Sequence, residues 1–238
     1  MQALISPSNT SRIINLSGSS GNITYTGNAI TPSTLPLTIN SGWNWVSYVP
    51  NESLDINTAL ASLGSDATYI KSQSGYADYY SGFGWFGTLS TMYPFLGYQL
   101  SLTTDTEFTY YDGDTFNRGS GGFALSNDEL KRTVLDADGI DEDVFALNIH
   151  DYEFNGSMTV ALYDDGERIH SNDYMLAAFD GNQCVGYTKG LELPLALDPN
   201  NTMVFPLMVY GNEDNVQLNF KAYEISTDTY YDINVPMQ

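Results

Sequence analysis

From residue 41 onward, apolar and aromatic positions come in short runs cut by glycine and other turn residues. Trp43, Trp45, Ser47 and Val49 alternate with Asn44, Val46 and Tyr48, the period-two pattern of a strand with both faces partly buried. Pro50 ends that run. Asn51 or Ser53 is placed to cap a short helix through Leu63, with Leu54, Ala59, Leu60 and Leu63 as its apolar stripe and Gly64 as its stop. Between Tyr69 and Leu100 the aromatics Tyr69, Tyr76, Tyr79, Tyr80, Phe83, Trp85, Phe86, Tyr93, Phe95 and Tyr98 are punctuated by Gly75, Gly82, Gly84, Gly87 and Gly97. Large flat side chains between glycine turns predict short antiparallel strands.

The second half repeats the theme with aliphatic strands. Ser157–Tyr163, Leu176–Phe179, Cys184–Thr188, Met203–Tyr210, Gln217–Glu224 and Tyr230–Val235 are separated by turn residues such as Asp164-Asp165-Gly166 and Asp180-Gly181-Asn182. Turn signals roughly every ten residues indicate a β-sandwich. The predicted fold is all-β and mainly antiparallel. An extended N-terminal arm (1–40) leads into a Trp-rich β module with one short helix (41–104). An acidic, glycine-rich connection (105–145) joins it to an Ig-like β-sandwich (146–238). In the arm, Ile13-Ile14-Asn15-Leu16 and Ile23-Thr24-Tyr25-Thr26 read as strands around a Gly18–Gly21 turn, and Ile30–Pro36 as extended chain.

Composition narrows the partners. The 238 residues include 29 acidic and 8 basic side chains, a net charge of −21, with 42% hydrophobic and 13% aromatic content. That is enough apolar matter for a core. The charge repels nucleic-acid phosphates and anionic membranes, so neither is expected as a partner. No apolar run approaches the ~20 residues of a membrane helix. The opening residues lack the basic and apolar regions of a signal peptide. Scarce lysine and arginine, with abundant Ser, Thr, Asn, Gly and Tyr, nevertheless suit an extracellular protein. The sequons at Asn9, Asn15, Asn22, Asn51, Asn155 and Asn200 carry meaning only in a glycosylating host. Cys184, the single cysteine, reads as a small buried hydrophobe.

Candidate chemistry is sparse. Asp112-x-Asp114-x-x-Asn117 and Asp136-x-Asp138-Gly139-x-Asp141-x-Asp143 supply closely spaced oxygens, so Ca2+ is the cofactor best suited to the chain. Neither follows EF-hand spacing, and solvated turn carboxylates are the plainer reading. His150 and His170 have no companion at metal-ligand spacing. No serine stands in a nucleophile elbow, and Gly119-Ser120-Gly121-Gly122 lacks the lysine of a phosphate loop. No catalytic constellation emerges, and the expectation is a non-enzyme. Trp43, Trp45 and Trp85 could stack on sugars if exposed, although aromatics recurring on strands are usually core.

The landmarks Gly42-Trp43-Asn44-Trp45, Ile70-Lys71-Ser72-Gln73, Tyr76-Ala77-Asp78-Tyr79 and Gly84-Trp85-Phe86-Gly87-Thr88-Leu89, then Pro94 and Gly97-Tyr98, are similar to a module of large secreted, surface-associated bacterial proteins. Tyr152-Glu153-Phe154, Ser157–Val160, Leu176–Gly181, Cys184-Val185-Gly186 and Phe205–Gly211 resemble a β-sandwich module of the same proteins. The resemblance implies an extracellular, modular, non-catalytic protein and no site residues. Two functions are therefore expected. The first is a structural or adhesive subunit of a surface filament or pilus. It would self-assemble with identical subunits by strand addition through Ile13, Ile14, Leu16, Ile23 and Tyr25 of the arm. The alternative is a carbohydrate- or surface-binding module using Trp43, Trp45 and Trp85.

Overall fold

The computed structural model describes residues 2–4, 13–15, 31–50, 52–94, 96–111, 145–200, 202–213 and 216–233. Two compact units divide the chain, Met1–Phe123 and Ala124–Gln238. Both are built from antiparallel strands, and the chain is all-β apart from short helical turns. Among the described residues, no helix is long and apolar enough to cross a membrane.

The first unit begins with β1 (Gln2–Leu4) and β2 (Ile13–Asn15), which pair with each other. The expected partner of the Ile13 strand was the segment from Ile23 to Thr26. Ile14 instead faces Ala3 in the ladder. Leu16, Ile23 and Tyr25 lie outside the described residues. Thr31 and Leu35, each preceding a proline, are extended, but a 3-10 turn over Pro32–Thr34 separates them.

There follow β3 (Leu37–Ile39), β4 (Gly42–Ser47), β5 (Leu54–Asp55), α1 (Ile56–Ala59), β6 (Ala67–Lys71), β7 (Tyr76–Tyr80), β8 (Gly84–Gly87), β9 (Thr91–Met92), β10 (Gly97–Leu102) and β11 (Thr106–Phe108). Five of them form a sheet in the order β4-β10-β6-β7-β8. β5 pairs with β9, and β3 with β11. One face of the five-stranded sheet carries Val46, Tyr98, Leu100, Ile70, Ala77 and Trp85 into a core closed by Ile56, Ala59, Leu60 and Leu63. Ile39, Phe108 and Tyr110 belong to the same core, so this unit packs chain on both sides of the expected 41–104 span. The predicted helix from Asn51 or Ser53 through Leu63 is corrected to one α turn, Ile56–Ala59, followed by a 3-10 helix over Ala61–Asp66. Pairing of Leu54 with Met92 draws residues 54–55 into a strand. The cap is then Asp55, whose carboxylate accepts the Asn57 N–H at 2.9 Å. The stripe residues Ala59, Leu60 and Leu63 are buried as expected.

The second unit contains β12 (Phe154–Val160), β13 (Tyr163–Asp164), β14 (Glu167–Arg168), β15 (Tyr174–Asp180), β16 (Gln183–Lys189), β17 (Leu191–Glu192), β18 (Met203–Gly211), β19 (Leu218–Glu224) and β20 (Thr229–Ile233). Sheets ordered β12-β18-β17 and β16-β15-β19-β20 face each other across Leu176, Ala178, Val185, Phe205, Leu207 and Ala222. This is a β-sandwich. β13 and β14 form a hairpin turned by Asp165 and Gly166, both at positive φ. At Gly186 the two sheets touch: a Cβ there would collide with the Met208 carbonyl oxygen. The outer face of the four-stranded sheet is sealed by Phe145. Its ring meets Tyr187 at 5.1 Å, Tyr223 at 6.0 Å, Tyr230 at 6.2 Å and Phe179 at 6.4 Å.

Candidate functional site

Strand pairing settles which side chains share the second face of the five-stranded sheet, opposite the core. In an antiparallel ladder, directly opposed residues point to the same side. One row therefore runs Trp43, Ser101, Tyr69, Asp78, Phe86 across β4, β10, β6, β7 and β8. The neighbouring row runs Trp45, Gln99, Lys71, Tyr76. Tyr80 extends the face beyond Asp78, two residues along the same strand.

Trp43 is 61% exposed and Trp45 54%, whereas Trp85 is 5% exposed. The expectation that the recurring tryptophans are core is corrected for the first two. The grouping of Trp85 with them as an exposed ligand contact is corrected as well. On β8 the parity runs through Phe86, which pairs with Asp78, so Trp85 points to the core and packs edge-on against Tyr79 at 5.4 Å. The entry to β4 is held by Asn44, whose side chain donates to the carbonyls of Asn40 (2.7 Å) and Gly42 (3.0 Å) and accepts the Asn40 N–H (3.2 Å). Gly42, at φ +85, makes the turn that starts the strand. The register of β4 against β10, Trp45 opposite Gln99 and Trp43 opposite Ser101, turns both indoles outward.

The exposed rings continue into an aromatic layer in which Tyr76 is buried, Tyr69 and Phe86 are half-buried and Tyr80 is exposed. Tyr69 takes the edge of Trp43 at 5.5 Å and stacks on Tyr76 at 5.6 Å, while Tyr80 and Phe86 meet at 6.5 Å. Two charged groups sit within this layer. Burial pushes the Asp78 carboxyl above the usual carboxylate range and the Lys71 ammonium below its ordinary value. Burial, with Asp78 adding to it, also raises the Tyr80 phenol. The face thus offers two exposed indoles and a row of hydrogen-bonding groups from Gln99, Ser101, Lys71 and Asp78. Aromatic surface beside a few placed polar groups is the composition of a binding site. Of these residues, sequence reasoning singled out Trp43 and Trp45. Tyr69, Lys71, Asp78, Phe86, Gln99 and Ser101 join them only through strand register, for which the sequence carries no local signal.

The other candidates are dispersed. Asp112, Asp114, Asp136, Asp138, Asp141 and Asp143, named for calcium, lie outside the described residues. Among the described residues, no group of three His, Cys, Asp or Glu is placed to hold a metal ion. His150 and His170 are exposed. Cys184 is buried, and burial pushes its thiol up to about 11, so it stays protonated and packs as a hydrophobe. No family model, curated protein or solved structure matches the chain.

Proposed function

We propose that the chain is a non-catalytic binding module of an extracellular surface protein, and that the open face of the five-stranded sheet holds an uncharged carbohydrate chain. One observation carries this reading: Trp43 and Trp45 stand exposed on one face, beside a row of polar side chains on the same face. Sugar rings present an apolar C–H face and a polar rim. Indoles take the first by stacking, and Gln99, Ser101, Lys71 and Asp78 take the second. The net charge of −21 disfavours acidic polymers, which leaves neutral polysaccharides as the ligand class. The extracellular setting rests on composition and on the resemblance to modules of secreted bacterial surface proteins.

The test is a fluorescence titration with neutral polysaccharides. Two of the three tryptophans lie on the face, so binding shifts the emission. Trp43→Ala and Trp45→Ala each weaken it by about tenfold or more, the scale of one lost stacking contact of about 1.4 kcal/mol. Unaltered affinity in both variants overturns the reading.

A second reading is a subunit that assembles with identical copies through the arm. It is favoured by the strand conformation of Ile13 and Ile14 in β2. Deleting residues 1–28 then abolishes polymers seen by electron microscopy while both units still fold. Polymers that persist after the deletion exclude the arm.

A further inference from the structure

The two edges of the five-stranded sheet are treated differently. Antiparallel ladders alternate between hydrogen-bonded and non-bonded pairs. The Tyr48 N–H donates to the Leu96 carbonyl at 3.3 Å, and the Ser72 N–H to the Gly75 carbonyl at 2.8 Å. Counted from either bond, Gly42, Asn44 and Val46 turn their main-chain groups toward β10. Trp43, Trp45 and Ser47 turn theirs outward. On the opposite edge the same alternation turns Trp85 outward, and there the Asn57 side chain takes its N–H at 2.8 Å. At Ser47 the Tyr110 hydroxyl takes the carbonyl at 3.0 Å. Among the described residues, nothing takes the outward N–H and C=O of Trp43 and Trp45.

Open edges are ordinarily guarded by charge, proline, a bulge or brevity. β4 is six residues long, Gly-Trp-Asn-Trp-Val-Ser, with no charge and no proline, and its ladder with β10 keeps one register throughout. We infer that β4 pairs with β4 of a second copy of this chain, antiparallel about a two-fold axis at Asn44, joining the two five-stranded sheets into one. A two-fold axis at Asn44 sets like residues against each other, because Trp43-Asn44-Trp45 reads the same in both directions. Pairing about Asn44 sets Trp43 opposite Trp45 of the second copy, and the reciprocal pair follows by symmetry. Both are hydrogen-bonded pairs, so the four outward main-chain groups of each copy are satisfied together. The indoles, already on one face, become cross-strand aromatic neighbours. A register centred on Trp45 is disfavoured because it needs the carbonyl of Ser47, a buried residue whose carbonyl already accepts the Tyr110 hydroxyl. The inference is independent of the ligand proposed for the face.

Two copies at −21 each repel one another, so the dimer tightens as salt screens them. The experiment is sedimentation of the full chain over a range of concentrations at low salt and at about 0.5 M NaCl, where the Debye length falls below 10 Å. Three variants accompany it. Asn44→Cys places thiols across a non-bonded pair, about 4.5 Å apart at Cα, within disulfide reach. Trp45→Pro removes an outward N–H and leaves the ladder to β10 intact. Trp43→Glu puts a further negative charge on the edge. The wild type is expected to form a salt-strengthened dimer, oxidised Asn44→Cys a covalent one, and the two edge variants monomers with unchanged circular dichroism. If Trp45→Pro fails to fold, Trp43→Glu decides alone. A wild type that stays monomeric under all conditions overturns the inference. A dimer that survives the folded edge variants, or that Asn44→Cys does not cross-link, also overturns it, placing the contact elsewhere, such as the arm.

Discussion

Asn57 closes one edge of the five-stranded sheet: its Oδ1 accepts the Trp85 main-chain N–H at 2.8 Å, from the first turn of α1. The same oxygen occupies the space a side chain at position 84 would need. Gly84 sits at φ +109, and a Cβ there would collide with Asn57 Oδ1. Asn57→Ala leaves the Trp85 amide without its acceptor and costs about 1–3 kcal/mol. A domain of this size loses roughly 4–8 °C of melting temperature per kcal/mol. Asn57→Asp keeps an acceptor and loses less. Equal melting of the Ala variant and the wild type would show that the contact is dispensable.

Tyr110 ties the chain beyond β11 to β4, with its hydroxyl on the Ser47 carbonyl at 3.0 Å and its ring against Phe108 (4.9 Å) and Tyr48 (5.3 Å). Burial raises its phenol well above the ordinary value of 10.0. Because the folded value is the higher one, its contribution is fully present below pH 10 and is lost as pH rises past it, where the unfolded chain releases the proton first. Chemical denaturation between pH 9 and about 11 is expected to show stability falling with pH. Tyr110→Phe costs about 1 kcal/mol at neutral pH and shows a shallower alkaline fall. An identical slope in the variant assigns the alkaline loss to other groups.

Asp78 lies in a layer of aromatic rings, and burial raises its carboxyl above 3.8. The folded state therefore favours the neutral acid. That advantage is present below pH 3.8 and is lost as pH rises through the folded value. Asp78→Asn keeps the shape without the charge, so it is expected to melt higher than the wild type at pH 7 and level with it well below pH 3.8, where both states of Asp78 are protonated. Thermal melts across that range check the sign. A difference that does not change with pH would rule out the charge as its origin.

Phe145 is 7% exposed and meets four rings on the outer face of the second unit's four-stranded sheet. Phe145→Ala is expected to cost about 3–5 kcal/mol, and Phe145→Leu less. Trp43, Trp45 and Trp85 all belong to the first unit, so calorimetry or far-ultraviolet circular dichroism is the suitable readout. A shift of only a degree or two would mean the ring is replaceable by solvent at little cost.

Strand existence was legible because it is local. Alternation around Trp43–Val49, aromatic runs between glycines, and Asp-Gly turns at Asp165-Gly166 and Asp180-Gly181 each act within a few residues. The apolar stripe of residues 51–63 is real, but pairing with Thr91–Met92 takes Leu54–Asp55 into a strand, so the helix starts only at Ile56. Nothing within residues 51–63 announces that pairing. The Ile13 strand was likewise found, while its partner, Gln2–Leu4, was not.

Residue type and period alone specify the all-β class, the turns and the aromatic and apolar residues from which both cores are drawn. Which tryptophans face out depends on long-range strand pairing. Gly-Trp-Asn-Trp and Gly-Trp-Phe-Gly look alike as strings. A side chain's face depends on the parity of its strand against its neighbours, and one residue of register exchanges core for surface. Register is fixed by partners far along the chain. Trp45 is paired through Gln99 and Trp85 through Tyr79, so the first two indoles came to the open face and the third to the core.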